Sequence, residues 1–356
     1  MRRIIHAVLL CLVTLLVSQF HSGLRAFMQS DQSALLTSQL EALQSITNEK
    51  GTTVNILLCL SGDAYGFLEE TKVAIKSLIL NAPHNGQLHI YIMADKSAYE
   101  ALLALFNETL PSGTIWWCPI AIRIINIESE ISRWQREIKK IANPMATLHH
   151  TWGTYYRLFF NRYLPSSVDY IIYMDPDTVV TANLAHLWNY TKNSSDWLFL
   201  WRSECAGFLL LRNSPELWEL AAQVDNKELP DEQFNDQKIL QLIALHHPDV
   251  AQELPPAWGM HWARDWRSRK NFLQDFPQLG MGHFNGGGPN PGAFWTQSVK
   301  HDLDEFHNEW GSFFYYYIHM PWSFARFIGE SSAVGGGYPV TVDLYANAKA
   351  LVNTTM

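Results

Sequence analysis

From Thr53 onward, apolar runs of strand length alternate with stretches whose apolar residues recur at helical spacing. Val54–Leu60 is broken only by Asn55 and closed by Ser61-Gly62-Asp63. Phe67–Leu80 carries Phe67, Val73, Ile75, Leu78 and Leu80 in a helical context, Leu88–Met93 reads as a strand, and Tyr99–Phe106 as a helix. A third strand, Ile122–Ile127, precedes helical patterns at Ile131–Ile141 and Tyr155–Tyr163; a further strand, Tyr170–Met174, ends in Asp175-Pro176-Asp177. Strands alternating with helices predict an α/β domain with a mostly parallel sheet and helices on both faces. Ligands of such sheets bind outside the carboxyl ends of the strands. That rule points to Ser61–Tyr65 and to Asp175–Asp177. No repeat interrupts the body, so residues 51–356 are expected to form one domain.

Ahead of it, Met1-Arg2-Arg3 is followed by a mostly apolar run, Ile4–Phe20. Two readings compete, a cleaved signal peptide and an uncleaved signal anchor. His21-Ser22-Gly23-Leu24-Arg25 offers no small-x-small cleavage site, which favours the anchor. As a helix the run spans roughly 25 Å, short for a plasma membrane and nearer to the thinner early secretory bilayers. Arg2 and Arg3 favour a cytoplasmic N-terminus and a lumenal body. The expectation is a single-pass type II protein of the Golgi membrane, with residues 1–20 as anchor; the ER or secretion are the alternatives. Residues 21–50 read as a stem, where Leu36, Leu40, Leu43 and Thr47 share one helical face that could pair two chains. Acceptor sequons at Asn107, Asn189, Asn193 and Asn353 agree with a lumenal glycoprotein.

Composition narrows the class. The net charge is −8, charged residues make up only 17%, and no Lys/Arg-rich block occurs, so nucleic acid is not an expected partner. The 14 Trp are unusual; flat amphipathic rings suit sugar faces and ordinary cores alike. Four cysteines show no zinc spacing, and one bridge among Cys59, Cys118 and Cys205 stays open.

Asp175 and Asp177 carry the sharpest chemistry. In an extended chain residues i and i+2 point to one side, and Pro176 biases Asp175 to that conformation. Two hard oxygen donors at a strand end suit Mn²⁺ or Mg²⁺ that also touches phosphate. The competing reading is a plain turn, which Asp-Pro commonly starts. A second copy, Asp302-Leu303-Asp304, lacks a preceding strand and reads as a solvated face.

From Thr53 to about Trp295 the sequence resembles the retaining, glycogenin- and xylosyltransferase-like enzymes of glycosyltransferase family 8. Leu60-Ser61-Gly62-Asp63-Ala64-Tyr65 looks like that family's first nucleotide-contacting loop, and Thr154–Phe160 like the helix before its metal motif. Ile171–Trp188 is the closest stretch. Cys205-Ala206-Gly207, Asn235-Asp236-Gln237 and His283-Phe284-Asn285-Gly286 follow in family order. The resemblance implies a GT-A (Rossmann-like) fold and transfer, with retention, of a hexosyl or pentosyl group from a UDP-sugar to a glycan or glycoprotein. It implies that Asp175, Asp177 and His283 hold Mn²⁺ (or Mg²⁺) and that Leu60, Ser61, Asp63, Tyr65, Arg157, Pro176 and Gly286 line the donor site. Asp236 and Gln237 would be catalytic, beside the anomeric carbon.

Two departures stand out. Cys205 replaces the family's usual Asn, and Gly287-Gly288-Pro289-Asn290-Pro291 stands where a Lys is common. They leave open an inactive, lectin-like relative. A haloacid-dehalogenase-type phosphatase is the remaining alternative, since Asp175-x-Asp177-x-Val179 also resembles that family's opening motif, but neither Gly-Asp-x-x-x-Asp nor Asp-Asp, that family's downstream metal motif, follows it.

Overall fold

The computed structural model describes residues 52–62, 65–83, 86–109, 115–116, 118–141, 153–180, 182–192, 197–202, 205–224, 235–255, 258, 260–261, 280–283 and 338–345. The expected anchor and stem, Asp63, Gly286 and Asp302-Leu303-Asp304 lie outside the described residues, as does the side chain of Tyr65. No helix among the described residues is long and apolar enough to cross a membrane.

The first half runs β1 (Thr52–Leu60), α1 (Tyr65–Leu80), β2 (Gly86–Ala94), α2 (Lys96–Thr109), β3 (Ile115–Trp116), β4 (Ile120–Asn126) and α3 (Glu128–Ile141). One helical turn, α4 (Gly153–Tyr156), leads to β5 (Tyr170–Met174), β6 (Thr178–Val180) and α5 (Leu184–Trp188). Then come β7 (Phe199–Arg202), β8 (Cys205–Arg212), α6 (Glu216–Ala221), α7 (Asp236–His246) and β9 (Ala251–Glu253). The last strands are β10 (Met260–His261), β11 (Met281–His283) and β12 (Tyr338–Tyr345).

Nine strands form one sheet in the order β3-β12-β4-β2-β1-β5-β8-β7-β9. From β12 to β5 every neighbour is parallel, while β8 is antiparallel to both β5 and β7. The mostly parallel expectation therefore holds for the first half and gives way at β8.

Alternation along each strand sends side chains to two separate cores. Val54, Ile56, Leu58 and Leu60 of β1 pack with Ile75 and Leu78 of α1 and with Leu102 of α2. Leu57 and Cys59 face the other way, toward Trp134 and Ile138 of α3 and Ile239 and Ile243 of α7. Burying each such aliphatic side chain contributes about 1.5–3 kcal/mol.

A single helix over Tyr155–Tyr163 is not what forms. α4 ends at Tyr156, and a separate 3₁₀ turn spans Phe160–Arg162. The amides of Leu158, Phe159, Arg162 and Tyr163 each bond the carbonyl three residues back. Tyr155 through Phe160 are all buried, so this segment has no solvated face for a regular helix to present. Cys59, Cys118 and Cys205 are all free thiols. Burial raises the Cys118 thiol to about 12, that of an inert core residue.

Candidate active site

Strands β1 and β5 are parallel neighbours, with Ile56 opposite Ile172 and Leu57 opposite Tyr173, so their carboxyl ends emerge together. Strand β2 lies on the other side of β1, with Ala94 opposite Leu60. The two segments expected from the strand-end rule thus share one edge.

Behind β5 the chain turns. The Thr178 amide donates to the Asp175 carbonyl at 3.2 Å, and its hydroxyl donates to the same oxygen at 2.6 Å. The carboxylates of Asp175 and Asp177 are brought together by this Asp-Pro turn rather than by an extended chain. Pro176, with its fixed φ, occupies a position that suits it. The turn and the metal-type pair, weighed as alternatives in the sequence, are one structure.

The turn delivers the chain into β6, which pairs antiparallel with β11 so that Thr178 stands opposite His283. That register carries an imidazole from 106 residues away to the carboxylates: His283 Nε2 lies 3.1 Å from Asp177 Oδ1 and 3.8 Å from Asp175 Oδ2. One donor atom from each of the three residues lies within 4.8 Å of the others. Cis ligands of a small octahedral ion with bonds of about 2.1 Å stand about 3 Å apart. Two hard carboxylates and one imidazole therefore fit a divalent cation such as Mn²⁺ or Mg²⁺ in both spacing and chemistry. Burial alone would lower the His283 pKa, but the Cys205 sulfur and the Asp177 carboxylate outweigh it and hold it well above the ordinary value.

Arg157 organises the acidic groups from behind. Its side chain is only 3% exposed; Nη2 lies 3.3 Å from Asp175 Oδ1 and Nε 3.1 Å from Asp236 Oδ2. Nε also donates to the Thr154 carbonyl at 2.7 Å, and Nη1 donates to the Ala206 carbonyl. The guanidinium stacks 4.2 Å above the Tyr173 ring, and the Tyr173 hydroxyl donates to Asp175 Oδ1. Burial works against the charge on Arg157, yet Asp175 and Asp236 more than offset it and raise its pKa. Only a planar fork can serve two carboxylates, two carbonyls and a ring at once.

Asp236 opens α7, whose N-cap Asn235 accepts from the Lys238 amide at 3.0 Å. Its carboxylate is buried and reaches the site through Arg157. Gln237 Oε1 accepts from the Ala206 amide at 3.4 Å, which lays its side chain against the start of β8.

Ser61 and Gly62 are tied together by a residue the sequence reading passed over. Asp95, directly after β2, accepts from Ser61 Oγ and from the Gly62 amide, both at 2.8 Å. Its other oxygen accepts from the Ala98 amide at 2.9 Å, in the first turn of α2. Gly62 has φ of +83°, a conformation that favours glycine. The signal for Asp95 was present: an acid immediately following a parallel strand, at the edge where ligands bind.

Gly207 is the second missed residue. A Cβ there would lie 2.1 Å from His283 Cε1 and 2.8 Å from Asp175 Oδ2, so the imidazole occupies the space a side chain would need. The Asp175 amide also donates to the Gly207 carbonyl at 2.8 Å. Cys205, two residues earlier, places Sγ 3.1 Å from His283 Nδ1. Trp258 is buried, its ring parallel to that of Phe208, and belongs to the core.

Residues 55–203 match the model of Glycosyl transferase family 8. Among curated proteins the chain is 22% identical over 270 residues to Xylosyl- and glucuronyltransferase LARGE1 of Gallus gallus, covering 67% of this chain and 33% of that protein. The Homo sapiens protein of the same name gives the same identity and coverage. The chain thus spans about a third of the length of these relatives. Among solved structures, the glycosyltransferase GlyE of Streptococcus pneumoniae TIGR4 superposes with a TM-score of 0.50 at 16% identity, over 80% of this chain and 65% of that one. That likeness is one of fold. The strand-end aspartates and the turn between them lie inside the matched segment, which is similar to glycosyl transferase family 8 over that part of the chain.

Proposed function

We propose that this protein transfers a hexosyl or pentosyl group from a UDP-sugar to a glycan or glycoprotein acceptor, with retention and with dependence on Mn²⁺ or Mg²⁺. The observation that carries the reading is the convergence of Asp175, Asp177 and His283 at the carboxyl edge of a parallel sheet. Those three residues would hold the cation, which when bound neutralises charge on a departing diphosphate. Arg157 holds the Asp175 carboxylate in place and keeps the buried Asp236 charge compensated. Ser61, fixed by Asp95, and the backbone beyond Leu60 would receive the nucleotide. Gln237, laid against the start of β8, is the polar group we place near the transferred sugar. Asp236 would act through Arg157.

The lectin-like alternative drew on Cys205 and on the absence of the usual Lys. The intact donor set argues for activity instead. For the phosphatase, the carboxylates it needs beyond the opening pair are not gathered among the described residues, where an imidazole completes the set. A Golgi type II placement and pairing through the stem complete the proposal, on the strength of Ile4–Phe20 and the Leu36–Thr47 face in the sequence.

The test is UDP release by the purified protein across a panel of UDP-sugars, with Mn²⁺ or with EDTA. Release from one donor, abolished by EDTA and by Asp177→Asn, supports the reading and identifies the sugar. Failure with every donor, together with no thermal stabilisation by Mn²⁺ and UDP, would leave the glycan-binding relative.

A further inference from the structure

This inference rests on the metal-binding reading of Asp175, Asp177 and His283, and concerns what aims the imidazole at the two carboxylates. The β6–β11 register fixes only the backbone of His283. The orientation of its ring depends on what meets it from outside that three-stranded sheet. Strand β8 of the nine-stranded sheet meets it with two residues. Cys205 and Gly207, two apart in a strand, present the same face. The sulfur meets Nδ1 at 3.1 Å, and the missing side chain at 207 leaves the space that Cε1 and Nε2 occupy. Nδ1 and Nε2 lie on different edges of the imidazole, and Nε2 faces the carboxylates. The sulfur is therefore on the wrong side of the ring to bind the same cation.

We propose that Cys205 is a positioning residue that accepts a hydrogen bond from Nδ1–H of His283, fixing the tautomer and ring orientation in which the Nε2 lone pair faces Asp175 and Asp177. The chemistry requires such a partner. A neutral imidazole that gives its Nε2 lone pair to a cation carries its proton on Nδ1, and groups that receive that proton set ligand orientation and basicity. Sulfur is a weak acceptor, but the site needs only one, in one direction. Cys205 at the place of the expected Asn is then a substitution within the site's support. A thiol turned toward the ring lacks the planar amide that could hold sugar hydroxyls.

The experiment is calorimetric titration of Mn²⁺, without donor sugar, into the full-length protein and into Cys205→Ser, Cys205→Ala, Cys205→Val and Asp177→Asn. The Ser variant keeps an acceptor, whereas Val fills the volume without one and guards against loss of folding in the Ala variant. Unfolding temperatures in EDTA verify that each variant is folded. The expected result is affinity within about 3-fold of native for Ser and about 10–100-fold weaker for Ala and Val. Native affinity in Ala and Val, with binding lost in Asp177→Asn, would overturn the role of Cys205 and leave the metal site standing. A Ser variant as weak as Ala would overturn the acceptor role. Absence of Mn²⁺ binding by the native protein would overturn the metal reading itself.

Discussion

At the scale of residues, two positions decide whether the acidic cluster can exist. Arg157 is a buried charge shared by Asp175 and Asp236, and removing one partner from such a set is costly because the others stay buried. Arg157→Ala should destabilise the fold by about 3–5 kcal/mol in urea denaturation. Arg157→Lys should rescue little of it, since a point charge cannot replace the fork. Gly207 acts through space alone: a methyl group there overlaps the His283 ring at 2.1 Å. Gly207→Ala should cost about 1–3 kcal/mol from overpacking and should weaken Mn²⁺ binding by displacing the imidazole, as read by titration. Neither role was legible from residue type. Arg157 sits among aromatics in the sequence, which says nothing of the two carboxylates it serves, and Gly207 enters there only as part of a family pattern.

Among elements, the link between α1 and β6 holds the metal-type turn in register. Ser77 Oγ donates to the Ala74 carbonyl at 2.7 Å and accepts from the Val180 amide at 3.0 Å. Asn81 Nδ2 donates to the Val180 carbonyl at 3.0 Å, and its own carbonyl accepts from the Leu184 amide at 3.0 Å. β6 is a strand of three residues, so these side chains supply much of what fixes it. Ser77→Ala leaves the Val180 amide buried without this acceptor and should cost about 1–3 kcal/mol in chemical denaturation. β1, α1, β2, α2, β4, α3 and β5 were legible because their apolar spacing follows directly from which faces they bury. The Tyr155–Tyr163 segment was not, because nearly every side chain there is buried and no periodicity survives. β12 alternates Tyr338, Val340, Val342 and Leu344 with Pro339, Thr341 and Asp343, a strand signal that went unread. Its place beside β4 needed the pairing itself.

On the scale of the whole molecule, a divalent cation held by groups from the turn after β5 and from β11 should stabilise the folded state as a unit. At about 100-fold excess over its dissociation constant the gain is about 2.7 kcal/mol, a rise in Tm of roughly 3–5 °C for a domain of this length. Differential scanning calorimetry with Mn²⁺ against EDTA reads it directly, and Asp177→Asn should remove the shift. A shift that persists in Asp177→Asn would place the stabilising ion elsewhere.

The sequence by itself determined the α/β alternation, the strand-end position of Asp175 and Asp177, and the order of segments that resembles the family. Each is local: apolar spacing, a turn residue and a run of a few side chains are properties of adjacent positions. Tertiary structure alone decided that His283 reaches the aspartates, through a β-register spanning more than a hundred residues. It also decided that Asp95 fastens Ser61, that Asp236 is buried behind Arg157, and that Cys205 turns to an imidazole. Those contacts join side chains on elements far apart in the chain, whose approach is set by how the whole sheet buries its two faces and not by any stretch of chain.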